Sequence, residues 1–358
     1  MSGNSIGKRF VATSFGESHG KCVGVVIDGC PSGLQLNEST VQRDLDRRRP
    51  QSGTISTPRK EEDKVEFLSG VMNGRTTGAP VTMLIWNRDA DSASYDEFRY
   101  KPRPGHADYP ALIRYEGNND YRGGGRFSGR LTAAIVMAGA VAKVYLESRH
   151  VEVFAYTLEV AGIKARLPEV YKIREIAAKN VMCTPDEDAA ERMERAVAAA
   201  REEGDSVGGI VECRASGIPP GIGEPIFDSI DADLAKILFD IPAVKGVEFG
   251  SGFEAARLKG SENNDSFIVT DGRVATKTNN AGGILGGLTN GMPIVVRVAF
   301  KPTSSITKKQ LTVDLKKMEQ AELEIKGRHD ACIVPRAVPV VEASTAIVLV
   351  DHMLRLAI

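Results

Sequence analysis

Alternating strand and helix periodicities, abundant glycine at the turns and a short window that occurs once in each half of the chain predict an α+β fold in layers. Strand-type runs occupy 9–14, 22–27, 81–86, 207–213 and 294–300. Helical spacing of apolar residues covers 38–49, 131–148, 186–203, 230–244 and 338–356. The recurring windows are 24–33 and 208–217: an apolar strand, an acid (Asp28, Glu212), then Ser-Gly, with a helical stretch following. An internal duplication explains the match, and so does convergence of strand-turn-helix units on Ser and Gly. At 358 residues, one large domain and two intimately packed halves both satisfy the size of the chain.

With 42% hydrophobic and 26% charged residues, core burial is not limiting. A formal net charge of -1 provides no overall field for nucleic acid or anionic lipid, so an anion site must come from local clustering. Residues 1–8 lack the basic flank and apolar run of a signal peptide, and a cytoplasmic location is expected. The apolar stretch 337–358 is interrupted by Pro339, Glu342, Asp351 and His352, which points to a buried helix and away from a membrane span. Five dispersed cysteines without CxxC spacing suit a reducing cytosol and no structural zinc.

Two long stretches of low periodicity, 89–125 and 248–287, are where chemistry is expected. Before them, Gly16-Glu-Ser-His-Gly20 matches GxSxG, but a second strand-type run follows where a nucleophile elbow needs a helix, so a serine hydrolase is disfavoured. His19 in that turn is either a proton-transfer group or a turn histidine satisfied by backbone. Arg47-Arg48-Arg49-Pro50 ends a helix with guanidinium groups suited to phosphate or carboxylate, although a solvated helix end has the same composition. In Pro102-Arg-Pro-Gly-His106-Ala-Asp108, a rigid frame carries Arg103, His106 and Asp108, able to hold an anion and protonate a leaving oxygen. Gly123-Gly-Gly-Arg-Phe-Ser-Gly-Arg130 runs into a helix whose N-terminal amides attract phosphate, with Ser128 equally suited to be only an N-cap. Lys301-Pro-Thr-Ser-Ser305 offers an ammonium and three hydroxyls after a strand. Gly327-Arg-His-Asp330 places a cation, an imidazole and a carboxylate before the last helix.

Together GESHGKCVGVVIDG, RRRP, PRPGHAD, GGGRFSGR, AVKGVEFGSGF, NNAGGILGG, KPTSS and GRHDACIVPRAVPVVEA resemble, in order and over nearly the whole chain, the motif series of the chorismate synthase family. The resemblance implies a layered βαβ sandwich forming one domain over 1–358, a homotetramer, and reduced FMN as cofactor. It implies 1,4-anti elimination of phosphate from 5-enolpyruvylshikimate 3-phosphate. His19 and His106 fall on the family's proton-transfer histidines, and Asp330 on the acid linked with loss of the ring hydrogen. Arg48 falls on an anion-binding arginine, and Arg49, Arg103 and Arg130 are expected beside it on the substrate. Arg126, Phe127, Ser128, Pro242, Ala243, Gly286, Lys301, Pro302, Thr303, Ser304, Ser305 and Arg328 fall on flavin-binding positions. Three positions depart from the family pattern: Thr54 for an arginine, Phe127 for a serine and Pro242 for an asparagine.

A dianionic phosphate and two carboxylates need several cations, and phosphate departure needs an acid or fixed positive charge, so the chemistry agrees with the residues. No stretch resembles a flavin reductase; reduced flavin is expected from another protein or reductant, and NADPH oxidation by this chain alone would contradict that. A phosphosugar or nucleotide transferase using the same Gly and Arg loops is the alternative, and it predicts metal dependence and a carboxylate pair near the phosphates. An RNA-binding module, suggested by Arg-Gly segments and Tyr109, Tyr115 and Tyr121, conflicts with the neutral charge and the lack of a basic stripe.

Overall fold

The computed structural model describes residues 3–49, 63–88, 93–325 and 329–357. Its first half holds β1 (Ser5–Ile6), β2 (Val11–Gly16), β3 (Cys22–Asp28), α1 (Glu38–Arg48), β4 (Val65–Ser69), β5 (Val81–Trp86) and α2 (Thr132–Ser148). Its second half holds β6 (Glu152–Val160), β7 (Ile163–Lys164), α3 (Val170–Ala177), α4 (Glu187–Glu202), β8 (Gly209–Ser216), α5 (Ile230–Asp240), β9 (Val244–Phe249), β10 (Ile294–Phe300) and α6 (Val334–Arg355).

Each half forms one antiparallel five-stranded sheet, in the orders β1-β2-β3-β5-β4 and β9-β10-β8-β6-β7. Setting aside the short β1 and β7, both sheets follow one plan. With α3 and α4 of the second half taken as an insertion between β6 and β8, the chain runs strand, strand, helix, strand, strand, helix, and the four strands align in the same spatial order. The recurring sequence windows are out of step with this plan. They align Asp28 with Glu212, whereas the sheets align Ile27, paired with Val81, with Ala215, paired with Ile294. Asp28 accordingly ends its strand exposed, while Glu212 is buried in mid-strand beside Tyr156, Arg214 and Arg297.

Helix α2 packs on β2 and β3, α6 packs on β6 and β8, and the two helices pack on each other, with α1 and α5 alongside. Core-facing residues alternate along the strands, as in Val23, Val25 and Ile27 of β3 or Val211, Cys213 and Ala215 of β8. They join α2 and α6 in one hydrophobic cluster drawn from both halves. The helix contact is close: a β-carbon on Gly139 would lie 2.2 Å from that of Ala343. Both helices are long and apolar enough to cross a membrane, but 94% of the α6 window and 67% of the α2 window are buried inside the protein.

Local chemistry sets the element ends. Asn37 caps α1 by accepting from the Thr40 amide at 3.0 Å, and Asp186 caps α4 by accepting from Ala189 at 3.1 Å. Helix α5 stops at Asp240, short of the expected 244, because Pro242 forces Ile241 into an extended conformation. Helix α6 starts at Val334, earlier than expected, since Pro335 in the first turn lacks an amide that would go unpaired there anyway. Strand β6 was not evident in the sequence because its two faces are both apolar. Phe154, Tyr156 and Leu158 face α3, forming a separate cluster with Ile173 and Ala177.

Two buried carboxylates on α6 tie distant segments to it. Asp351 accepts from the amides of Lys8, Arg9 and Phe10 at 2.7, 2.6 and 2.9 Å, pinning the N-terminal segment. Glu342 receives both Arg47 amino groups at 2.8 and 3.0 Å, Lys143 at 2.6 Å and the Ala155 amide of β6 at 3.3 Å. Burial alone would raise its carboxyl, but the charges of Lys143 and Arg47 hold it at about 2.

Two predictions follow from this packing. Gly139→Val drives a branched side chain into Ala343 and lowers the denaturant midpoint by an amount equivalent to about 3 kcal/mol. Glu342 contributes full stability above the unfolded carboxyl value of 4.5, and the contribution is lost as pH falls towards about 2. Unfolding curves at pH 7 and pH 3 should therefore show a larger loss for the parent protein than for Glu342→Gln, which is already weakened at pH 7.

Candidate active site

A cleft of about 1160 Å³ opens where equivalent ends of the two halves meet. The C-terminal ends of α1 and α5 reach it through Arg48 and 240–245. The N-terminal ends of α2 and α6 reach it through 128–132 and through Asp330, Ile333 and Arg336. The loop after β10 lines it with Lys301, Thr303, Ser304 and Ser305. Two helix N-termini therefore face one cavity, a favourable arrangement for an anion.

The floor carries buried arginines. Arg48, 4% exposed, donates from Nε to Thr132 Oγ1 at 2.9 Å and from Nη2 to the Gly129 carbonyl at 2.7 Å. Arg130, also buried, donates from Nε to Asn87 Oδ1 at 3.0 Å. Buried Asp63 lies between them, 3.4 Å from Arg48 and in direct ion-pair contact with Arg130. Among the described residues, Asp63 is the carboxylate that holds both guanidinium groups in place. Across the cleft, Arg336 pairs with Asp330 and donates from Nε to the Arg48 carbonyl at 3.2 Å. Thr303 Oγ1 donates to the Asp330 carbonyl at 3.0 Å.

His106 lies at the start of the short helix Asp108–Arg114, with Nδ1 2.7 Å from Asp108 Oδ1. Arg103 grips the same carboxylate through Nε and Nη2, each at 2.8 Å, and donates to Ser305 Oγ at 3.2 Å. Burial would raise the Asp108 carboxyl, but hydrogen bonds and charge from Arg103 and His106 hold it well below the carboxylate range. Asp108 is thus a fixed anion that orients the imidazole by its Nδ1 proton. Arg103 lines the cleft, yet its guanidinium is occupied by this support and lies 4.7 Å from the Phe98 ring centroid.

Three consecutive glycines separate the two imidazoles. Gly123, Gly124 and Gly125 have φ of 59°, 82° and 53°, the left-handed region that favours glycine. A β-carbon on Gly123 would lie 2.2 Å from His19 Cδ2, and one on Gly124 would lie 3.4 Å from His106 Nε2. His19 sits behind Gly123, edge-on to Tyr95 at 5.1 Å, in the turn between β2 and β3. The strand after that turn replaces the helix that a GxSxG elbow requires.

The remaining expected residues divide. Arg126 lines the cleft while donating to the Gly16 carbonyl at 3.0 Å and Ser14 Oγ at 2.9 Å. Phe127 presents a part-exposed ring there, and Ser128 Oγ accepts from the Arg130 amide at 3.3 Å. Pro242 and Ala243 line it too, and the Ala243 carbonyl accepts from the Lys301 amide at 2.9 Å. The Lys301 ammonium is pushed below its ordinary value, first by burial and then by neighbouring Lys245. Arg49 pairs instead with Asp46 at 3.2 Å and does not line the cleft. Neither does Pro302, nor Gly286, which lies between the short strands Ile284–Leu285 and Leu288–Thr289. Arg328 and Thr54 are outside the described residues.

Asp63, Asn87, Lys245 and Arg336 were missed in the sequence. Asp63 lies within a charged run without periodicity, and Asn87 is simply the residue after a strand. Arg336 became visible only because α6 begins before it.

A family model described as chorismate synthase matches residues 10–354. Chorismate synthase of Dehalococcoides mccartyi is 53% identical over 352 residues, covering 98% of this chain and 97% of that protein. That of Korarchaeum cryptofilum is 54% identical over 355 residues, covering 99% and 98%, respectively. A crystal structure of chorismate synthase superposes with a TM-score of 0.77 at 30% identity, covering 98% of this chain and 93% of its own. Matching sequence over nearly its full length and matching fold, this chain belongs to the chorismate synthase family.

Proposed function

We propose that this cleft carries out the family's reaction, the 1,4-anti elimination of phosphate from 5-enolpyruvylshikimate 3-phosphate to give chorismate. The observation that carries the reading is the convergence of Arg48, Arg130, Arg336 and Lys301 with His106 around one cavity. A substrate with a phosphate and two carboxylates needs this many cations, fixed in advance, where water is scarce.

Reduced FMN is the family's cofactor, and the residues present fit it. The cavity exceeds what a single small ligand usually occupies, roughly 300–1,000 Å³. Lys301, Thr303 and Ser304 would hold its phosphate, and Arg126, Phe127, Pro242 and Ala243 would border its ring. When bound, it supplies transient electron density to the substrate without net oxidation. The protein's part is binding and proton handling. Arg48 and Arg130 hold the anionic groups against the floor. His106, oriented by Asp108 and Arg103, gives a proton to the departing phosphate. His19 completes proton transfer from behind the glycine loop, and Asp330, held by Arg336, is the carboxylate on the side of the ring hydrogen.

The fold is best described as a layered βαβ sandwich in one domain, built from two halves related by duplication. Their shared strand order and their common hydrophobic cluster support this. Assembly into a homotetramer agrees with exposed Phe267, Val269 and Val274 on the hairpin formed by Phe267–Thr270 and Arg273–Thr276. Five free cysteines agree with a cytoplasmic location, where another protein or reductant supplies reduced flavin.

The direct test is anaerobic incubation with reduced FMN and 5-enolpyruvylshikimate 3-phosphate, following chorismate absorbance and phosphate. Turnover without added metal is expected, and activity that depends on ATP or RNA alone would reject the reading. His106→Ala should lower kcat by about 100-fold or more with little change in KM. Arg48→Ala should chiefly raise substrate KM, by roughly ten- to 100-fold, and unchanged affinity and rate would remove it from the anion site. Gly123→Ala, which pushes a methyl group into His19, should lower kcat by about 100-fold in stopped-flow assays while Tm changes little.

A further inference from the structure

We infer that Asn87 is a positioning residue that locks the His19 turn to the substrate-binding arginine Arg130, so that imidazole and anion site move as one unit. The inference rests on the functional reading above and assigns a role to a side chain outside the expected site. Asn87 directly follows β5, and its amide donates to the Lys21 carbonyl at 3.0 Å. Its Nδ2 donates to the Glu17 and Gly20 carbonyls at 3.1 and 2.9 Å, the two ends of the turn that carries His19. The turn is itself closed by the Gly20 amide donating to the Glu17 carbonyl at 3.1 Å. On its other side, Asn87 Oδ1 accepts from Arg130 Nε at 3.0 Å.

The chemistry of these contacts selects a carboxamide. Both turn partners are acceptors and need an N–H donor, while the guanidinium is a donor and needs an oxygen. Aspartate has the same shape but sets an oxygen against two carbonyls. Leucine fills the space and satisfies neither side. Because Asp63 anchors the far end of the same guanidinium, Arg130 has little freedom to follow a displaced turn. A turn released from Asn87 would therefore shift His19 relative to the bound anion, and a displacement of about 1 Å near reacting groups costs roughly 100-fold in rate.

The test compares Asn87→Asp, Asn87→Leu and Asn87→Ala with the parent full-length protein. Expected are similar melting temperatures, a kcat lower by about 100-fold in all three, and a change in KM of less than about tenfold. His19→Ala combined with Asn87→Ala should be no slower than His19→Ala alone, since both changes remove the same contribution. Independently of activity, ring-labelled histidine NMR should show the His19 resonance displaced in Asn87→Leu and the His150 and His352 resonances unmoved. Parent-like kcat in the Asp or Leu variant, multiplicative losses in the double variant, or an unmoved His19 resonance would each overturn the inference. So would failure of Asn87→Asp to fold, which would make the residue a support of the fold. If the parent protein released no phosphate, the functional reading would fall while the NMR comparison still decided the role of Asn87.

Discussion

The close crossing of α2 and α6 at Gly139 and Ala343 is the contact on which the rest of the molecule depends. Each helix is the apolar face against which one sheet packs, so their approach brings both sheets into a single core. Small residues at the crossing let the backbones come together without displaced side chains. Both helices also begin at the cleft, and a shift at the crossing would move the segments bearing Arg130 on one side and Asp330 on the other. Core packing and site geometry are thus consequences of one helix pair.

The shared plan of the halves explains why a single cavity forms. Helix starts, helix ends and outgoing strands occur at equivalent places in each half, and they meet at the line between them. The two halves then diverge in chemistry. The first supplies arginines on a buried floor, in contact with Asp63, together with His106 and, behind the glycine loop, His19. The second supplies Lys301, the hydroxyls of Thr303 and Ser304, and the Asp330–Arg336 pair. The cavity is therefore asymmetric in chemistry although the strand order of the two halves is shared.

Positive charge in the cleft is kept stable without being spent. Arg103 is tied up by Asp108, but this converts Asp108 into an anchor for His106. Arg48 and Arg130 both contact the carboxylate of Asp63, which fixes their planes at the floor of the cleft. Removing such groups from bulk water weakens screening, so each fixed charge acts more strongly on a ligand than it would at the surface.

Strand and helix identity was legible in the sequence wherever one face is apolar and the other polar, as in β3, β5, β10, α1 and α4, because burial of one face imposes the period. The motifs around His19, His106, Gly123 and Lys301 were legible for a different reason: Gly, Pro and charged residues cluster where backbone turns tightly and side chains must stay polar. The sequence did not reveal β6, whose both faces are covered, or the true starts and stops of α5 and α6 around their prolines. Nor did it separate Arg48, which points into the cleft, from Arg49, which turns back to Asp46. By itself the sequence determined which segments are amphipathic and which residue types are available for chemistry, because those depend on local order. Only the tertiary structure decided that Asp63 lies between Arg48 and Arg130 and that Asn87 joins Arg130 to the His19 turn. Those contacts depend on distance in space, which is set by how two helices pack and not by spacing along the chain.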